Sequence, residues 1–346
     1  MLDIVCRGTP YEIGFKHGTE ARLQISRSIV FYAGMFRQTS KVEWPQVKET
    51  AAGIEREMVK RWPRYWEEMR GIADGAKVDL LDIVALNVRT EIAFGMFSDG
   101  CTSLYWKTEK RPFQAQNWDW NEAQKENLIL ITIHQADFPI IKMVTEAGII
   151  GKIGLNSCGV GILFNAIRAK GMNPTHLPAH LGLRMALEST SAMDAVTKLE
   201  TCGMASSAHI LIGDPHEAIG LEFTSSTFAR VPMDSHRRVI HTNHLLQDHP
   251  GVEESHNWIP DTFFRVKRMQ ELTDEFVDRG QEPGWEEFSR FFEDRVNCPA
   301  SICRDQDDVM TKSATLFNIV MDLGERRAVV RLGKPTAVEE TVMFTF

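Results

Sequence analysis

The spacing of polar and apolar positions changes near residue 100. Over residues 9–98 the pattern is helical. Thr9-Pro10-Tyr11-Glu12 is a capping box with proline at the first helical position, so it predicts a helix start. Pro45 opens a second helical stretch, and Pro63 ends or kinks its first segment near Arg61. Asp79-Leu80-Leu81-Asp82 starts a third, with Leu80, Ile83, Val84, Leu86 and Val88 along one stripe. Past Cys101, short β-branched and aromatic runs predict strands at 103–106, 113–120, 128–134, 140–145 and 161–165. The glycine-punctuated segment 148–154 is no phosphate loop, because its Gly-Lys pair is not followed by Ser or Thr. Helices return at about 178–202, then strands at 208–213, 217–223 and 238–242. Helices at about 257–276 and 284–294 and strands at 314–321, 327–331 and 341–346 complete the pattern. Without repeats or a long linker, this reads as one compact α+β domain over 1–346, with two helical layers around antiparallel sheets.

With 346 residues, 43% of them hydrophobic, the chain has material for a large core. A net charge of −8 gives no basic footprint for nucleic acid or an anionic membrane. Six scattered cysteines without a Cys-x-x-Cys pair suggest neither a zinc site nor a redox dithiol, and fit a reducing compartment. No apolar run approaches the ~18–20 residues of a membrane span. The first residues lack a signal-peptide pattern, and Met343-Phe344-Thr345-Phe346 is not a peroxisomal address, so a cytoplasmic location is expected.

Candidate chemistry centres on Asp99-Gly100-Cys101-Thr102, at the junction of the two patterns. Cutting the Gly100–Cys101 bond would give Cys101 both a thiol and a free α-amine, a nucleophile and a general base on one residue. Their reference pKa values, roughly 8.5 and 7.7–8.0, allow proton transfer at neutral pH. Gly100, with no Cβ, allows the strained geometry in which the thiol reaches its carbonyl. The bond is expected in an exposed loop at a strand start, where a cut spares the core. If strands 103–106 and 113–120 pair, Asp119 returns to that point. There it could hold the amine, orient a substrate amine, assist deprotonation, or simply cap a turn. Asn243, in His241-Thr242-Asn243-His244, offers a neutral donor for an oxyanion. The two histidines lack metal-ligand spacing and an evident carboxylate partner. Lys312 could steady a carboxylate or a tetrahedral intermediate, or be an ordinary strand-edge lysine.

Several segments in order resemble one family. They are Gly8-Thr9-Pro10-Tyr11-Glu12-Ile13-Gly14, the 99–102 tetrapeptide, Gln116-Asn117-Trp118-Asp119 and Thr145-Glu146-Ala147-Gly148-Ile149-Ile150-Gly151-Lys152. Ala186-Leu187-Glu188-Ser189-Thr190-Ser191, His241-Thr242-Asn243-His244 and Ala314-Thr315-Leu316-Phe317-Asn318-Ile319 follow. The chain resembles the acyl-coenzyme A:6-aminopenicillanic acid (isopenicillin N) acyltransferases, self-processing members of the N-terminal nucleophile hydrolase superfamily. The resemblance implies a four-layer αββα sandwich and self-cleavage into a helix-rich α chain (1–100) and a β chain (101–346). Cys101 matches the nucleophile, Asp119 an active-site aspartate and Asn243 the oxyanion-hole asparagine, with Thr102 in support. Lys312 falls where the family uses arginine, and Thr311 and Thr224 where it uses serine. Lysine keeps the charge but loses the planar fork. The expected activity is exchange or removal of a penicillin side-chain acyl group through a thioester on Cys101, with acyl-coenzyme A as co-substrate and no resident cofactor or metal. An amidase of the same fold acting on other amides, or a processed but weakly active relative, are the alternatives.

Overall fold

A computed structural model of the chain describes residues 1–93, 100–255, 258–307 and 309–346. It begins with strand β1 (Leu2–Arg7), absent from the sequence reading. Six helices follow: α1 (Pro10–Glu20), α2 (Arg22–Thr39), α3 (Trp44–Arg61), α4 (Pro63–Ala76), α5 (Leu80–Asn87) and α6 (Arg89–Ala93). The Thr9 capping box starts α1, the break at Pro63 separates α3 from α4, and Asp79 caps α5. Strands β2 (Gly100–Lys107), β3 (Pro112–Trp120), β4 (Leu128–His134), β5 (Ile141–Glu146), β6 (Ile153–Asn156) and β7 (Gly161–Ala166) come next. The helical stretch at 178–202 is two helices, α7 (Ala179–Leu187) and α8 (Ala192–Cys202), because Ser191 caps a new start by accepting from the Asp194 N–H. Then come β8 (Ala208–Gly213), β9 (Ala218–Phe223), β10 (Phe228–Pro232), also unread in the sequence, and β11 (Arg238–His241). Helices α9 (Thr262–Asp278) and α10 (Trp285–Arg290) precede β12 (Ala314–Asp322), β13 (Arg327–Lys334) and β14 (Ala337–Thr345).

The strands form two sheets. One runs β1-β4-β5-β6-β7-β8-β9-β10 and the other β11-β2-β3-β12-β13-β14. The pairing is antiparallel except that β1 lies parallel to β4, Leu2 opposite Ile129, which corrects the wholly antiparallel expectation. The sheets meet face to face through buried polar ties between their apolar side chains. Gln116 Nε2 donates to the Phe164 carbonyl at 2.6 Å, and Ser103 Oγ to Asn165 Oδ1 at 2.8 Å. Helices α1, α7 and α8 pack on the eight-stranded sheet, and α9 and α10 on the six-stranded one. The order of layers is therefore helix, sheet, sheet, helix, as the resemblance implies.

Helices α1 and α4 cross at unusually close range. A Cβ at Gly14 or Gly18 of α1 would run into the backbone of α4 at Glu68 and Ile72. Buried ion pairs tie this helical part to the later strands and helices. Arg184 bonds Glu68 at 2.9 Å and Glu188 at 3.0 Å, while Glu146 receives Arg89 and Lys152, each at 2.6 Å. No helix among the described residues is long and apolar enough to cross a membrane.

Candidate active site

Gly100 and Cys101 open β2 as strand residues opposite Asp119 and Trp118 of β3. Both are buried, so the expectation of an exposed loop at this bond is corrected. Pairing with β3 on one side and the cover of α9 on the other leave this end of β2 no surface. Asp99 lies outside the described residues. The 103–106/113–120 hairpin forms as read, and it returns Asp119 to Gly100.

Strand pleating assigns the faces. Thr102 Oγ1 accepts from Arg265 Nη1 of α9 at 3.1 Å, whereas Ser103 reaches the opposite sheet. Cys101 shares the Ser103 face, so its side chain points between the two sheets. Its main chain is held separately. Strand β11 pairs with β2 as far as His241, opposite Ser103. Beyond that the Asn243 side chain takes over, with Oδ1 accepting the Cys101 N–H at 2.9 Å. The Cys101 carbonyl accepts from Arg265 Nη1 at 2.6 Å. Arg265 Nη2 also donates to Asn243 Oδ1 at 2.8 Å, which orients the amide, and Asn243 Nδ2 donates to the Ala166 carbonyl at 3.0 Å. One guanidinium thus fixes both the Cys101 carbonyl and the amide beside it.

Asp119 is fully buried and accepts from Thr315 Oγ1 at 2.7 Å through Oδ1. Arg304 Nε lies 3.7 Å from Oδ2. Asp261 completes the charge balance, bonding Arg265 Nε at 2.7 Å and pairing with Arg304. Burial pushes both guanidinium groups below their ordinary value, with Asp119 and then Cys101 acting in the opposite sense. Gly100 sits against this cluster. A Cβ there would lie 2.9 Å from Asp119 Oδ2 and 3.2 Å from Arg304 Cζ. The glycine therefore answers to space beside the carboxylate.

The structure brings Gly100, Cys101, Thr102, Asp119 and Asn243 together. Three other residues singled out in the sequence stand apart. Thr224 closes the β9–β10 turn, where Oγ1 accepts from the Ser226 and Thr227 N–H groups. Thr311 is buried and donates to the Asp305 carbonyl, closing the loop that follows Arg304. Lys312 is exposed, and the positive charge beside Asp119 comes instead from Arg304. Arg265 and Arg304 carried no signal in the sequence, since an arginine on a helix or in a loop is usually a solvated one. The i,i+4 spacing of Asp261 and Arg265 was the available hint. His241 has a carboxylate partner after all: Glu222 Oε1, brought from β9 to 2.7 Å.

A thiol, an amide and a carboxylate–guanidinium pair thus lie around one Gly–Cys bond, with Arg304 rather than Lys312 beside the carboxylate. The family described as acyl-coenzyme A:6-aminopenicillanic acid acyl-transferase matches residues 106–337. The chain belongs to this family. A relative from Emericella nidulans, the acyl-coenzyme A:6-aminopenicillanic-acid-acyltransferase 40 kDa form, is 45% identical over 349 residues, covering 100% of this chain and 96% of the relative. Among solved structures, a penicillin V acylase from Agrobacterium tumefaciens has a TM-score of 0.44 at 10% identity, over 71% of this chain and 86% of that one. A conjugated bile acid hydrolase variant from Clostridium perfringens has a TM-score of 0.47 at 12% identity, over 71% and 97%. The chain is an enzyme of the acyl-transferase family.

Proposed function

We propose that the protein is a self-cleaving cysteine acyltransferase and amidohydrolase acting on the side-chain amide of penicillins. In the precursor the Cys101 thiol attacks the Gly100 carbonyl carbon, the acyl group shifts from nitrogen to sulfur, and water hydrolyses the thioester. Residues 1–100 end in a new carboxylate, and Cys101 gains a free α-amine. The β1–β4 pairing and the Glu68–Arg184 and Arg89–Glu146 ion pairs, each joining residues on the two sides of the cut, support a cleaved pair of chains that stays associated.

In the mature enzyme the α-amine takes the thiol proton, and the thiolate attacks the amide of isopenicillin N or the thioester of an acyl-coenzyme A. An Asn243 N–H and a main-chain N–H stabilise the oxyanion. The adduct then expels the penicillin nucleus amine, which takes the proton from the α-ammonium, or the coenzyme A thiol. The acyl-enzyme thioester passes its acyl group to the amine of 6-aminopenicillanic acid, or to water, freeing the Cys101 thiol. Acyl-coenzyme A is a co-substrate here, and the protein's own residues perform the proton transfers. A thioester suits this exchange because an amine attacks it readily once bulk water is excluded.

One observation carries the reading: the Cys101 nitrogen already donates to Asn243 Oδ1 at 2.9 Å. The nitrogen that becomes the base is held in the uncut chain by the amide proposed for the oxyanion. The likeness to the Emericella nidulans acyltransferase over the whole chain supports the substrate class.

A denaturing gel with N-terminal mass spectrometry tests the cut. The 39.3 kDa chain, divided in proportion to 100 and 246 residues, should give bands of roughly 11 and 28 kDa, the larger beginning at Cys101. A Cys101→Ala chain should stay whole. An active, unbroken wild-type chain would overturn the reading. Hydrolysis of simple amides without penicillin acyl exchange would instead assign it to the amidases of this fold.

A further inference from the structure

One buried carboxylate gathers the turn that carries Asn243. Glu222, on β9, is fully buried. Its Oε1 accepts from His241 Nε2 at 2.7 Å and from the Leu246 N–H at 2.6 Å. Its Oε2 accepts from the Gln247 N–H at 3.0 Å and lies 3.3 Å from His249 Nε2. These partners lie on both sides of residues 242–245, so a single side chain closes that loop. Burial works against the Glu222 charge, yet the His241 ring and the two main-chain donors outweigh it and hold the carboxyl below its usual range.

His241 faces acceptors on both sides. Its Nε2 meets the Glu222 carboxylate, and its Nδ1 lies 2.9 Å from the Thr242 carbonyl oxygen. Neither partner can donate once the carboxylate is ionised, and a neutral imidazole has only one N–H. Both bonds form only when the ring carries two protons. A second ring lies flat upon it: His209 of β8 stacks with centroids 3.5 Å apart and planes 9° apart. Burial, and then the charge of His241, push the His209 ring well below its ordinary value, so His209 stays neutral.

We infer that Glu222 holds His241 as an imidazolium and that His241 is a positioning residue for Asn243. The peptide bond joining Thr242 to Asn243 is pinned at both ends. His241 Nδ1 donates to its carbonyl, and its N–H donates to Thr262 Oγ1 at 2.7 Å. That fixes the main chain from which the Asn243 amide reaches Cys101. Loss of the second ring proton leaves one of the two acceptors without its donor, so the Thr242 carbonyl or the Glu222 tie is released. Among the described residues, the titratable and charged groups around the ring are Glu222 and His209. His249 lies behind the carboxylate, His244 beside Thr242, and Arg265 beyond Asn243. The catalytic consequence rests on the proposed role of Asn243, whereas the charge of the ring does not.

Two measurements test this separately. In histidine-15N-labelled protein, with the His241→Gln variant identifying its signals, both ring nitrogens of His241 should carry protons at about pH 7. A His241 ring with one bare nitrogen at that pH overturns the proposal, whatever the activity. Folded His241→Gln and Glu222→Gln variants, checked by thermal melting, should lose about ten- to a hundredfold in kcat with KM changed much less. Wild-type kcat in a folded variant, or a loss carried by KM instead of kcat, overturns the positioning role. Failure of the wild type to split at Gly100–Cys101 would sink the cysteine mechanism but leave the ring spectrum to decide the charge. If neither variant folds, the ring signals are assigned by through-bond correlation to the His241 backbone, and that spectrum decides alone.

Discussion

Asn243 stands where a strand residue would stand opposite Cys101: its side-chain Oδ1 accepts the Cys101 N–H at 2.9 Å just past the end of β11. The two ends of its amide have separate tasks. The oxygen holds the Cys101 nitrogen and Arg265, and the nitrogen, already donating to the Ala166 carbonyl, has a second N–H to offer. Asn243→Asp keeps the oxygen acceptor and loses the donor, so its chain should still split while acyl transfer falls about 10²–10³-fold, or roughly 3–4 kcal/mol. Asn243→Ala should lose both. Gels and steady-state kinetics on the two variants separate these effects, and equal turnover in Asn243→Asp and wild type would remove Asn243 from the proposed oxyanion hole.

Gly100→Ala tests the space beside the carboxylate. The added Cβ would sit 2.9 Å from Asp119 Oδ2 and 3.2 Å from Arg304, so strand or side chains must shift. Overpacking of this kind costs about 1–3 kcal/mol. It acts on the carbonyl proposed as the point of attack, so splitting should slow at least about tenfold while the uncut chain stays folded. Cleavage at the wild-type rate would show that Asp119 and Arg304 yield freely.

The site was legible where neighbours in sequence become neighbours in space. The β2–β3 hairpin needs only two alternating runs and a short turn, so the approach of Asp119 to Gly100 followed from the sequence. Thr9 and Asp79 announced their helices because a cap is a local device. Ser191 was an equally local signal, overlooked inside an apolar stretch that reads as one helix. What stayed hidden was set across the chain. Strand β1 pairs in parallel with β4 more than a hundred residues away, and no short-range pattern encodes that partner. Arg265, Arg304 and Glu222 look like ordinary charged residues until the fold buries them against Cys101, Asp119 and His241.

Lys312 and Arg304 compete for one role, and substitution distinguishes them. Arg304 is buried near Asp119, while Lys312 is exposed two residues before β12. Lys312→Arg should therefore change kcat/KM by less than about threefold, whereas Arg304→Lys should lower it at least about tenfold, because a point charge cannot span both Asp119 and Asp261. A large gain on restoring arginine at 312 would return that residue to the catalytic set.

Acid should weaken the fold through two buried groups that join the early helices to the later strands. His17 Nε2 accepts the Gly148 N–H at 3.1 Å, and burial, followed by the charge of Arg184, pushes the ring down to about 3. An unfolded histidine titrates near 6.5, so between about pH 6.5 and 3 the unfolded chain binds the extra proton and folding weakens as pH falls. Glu146 adds to this at lower pH. Burial opposes its charge, but Arg89 and Lys152 outweigh that and hold it far below the usual range, so its contribution is whole above roughly pH 4.3 and erodes beneath it. Melting temperature should therefore drop steadily from pH 7 to 4, at a cost of up to ~1.4 kcal/mol per pH unit for each titrating group. His17→Gln, whose amide oxygen can still accept from Gly148, should flatten the part between about pH 6.5 and 4.5. An unchanged slope would assign the proton uptake to the other buried rings that burial pushes down, His180 and His209.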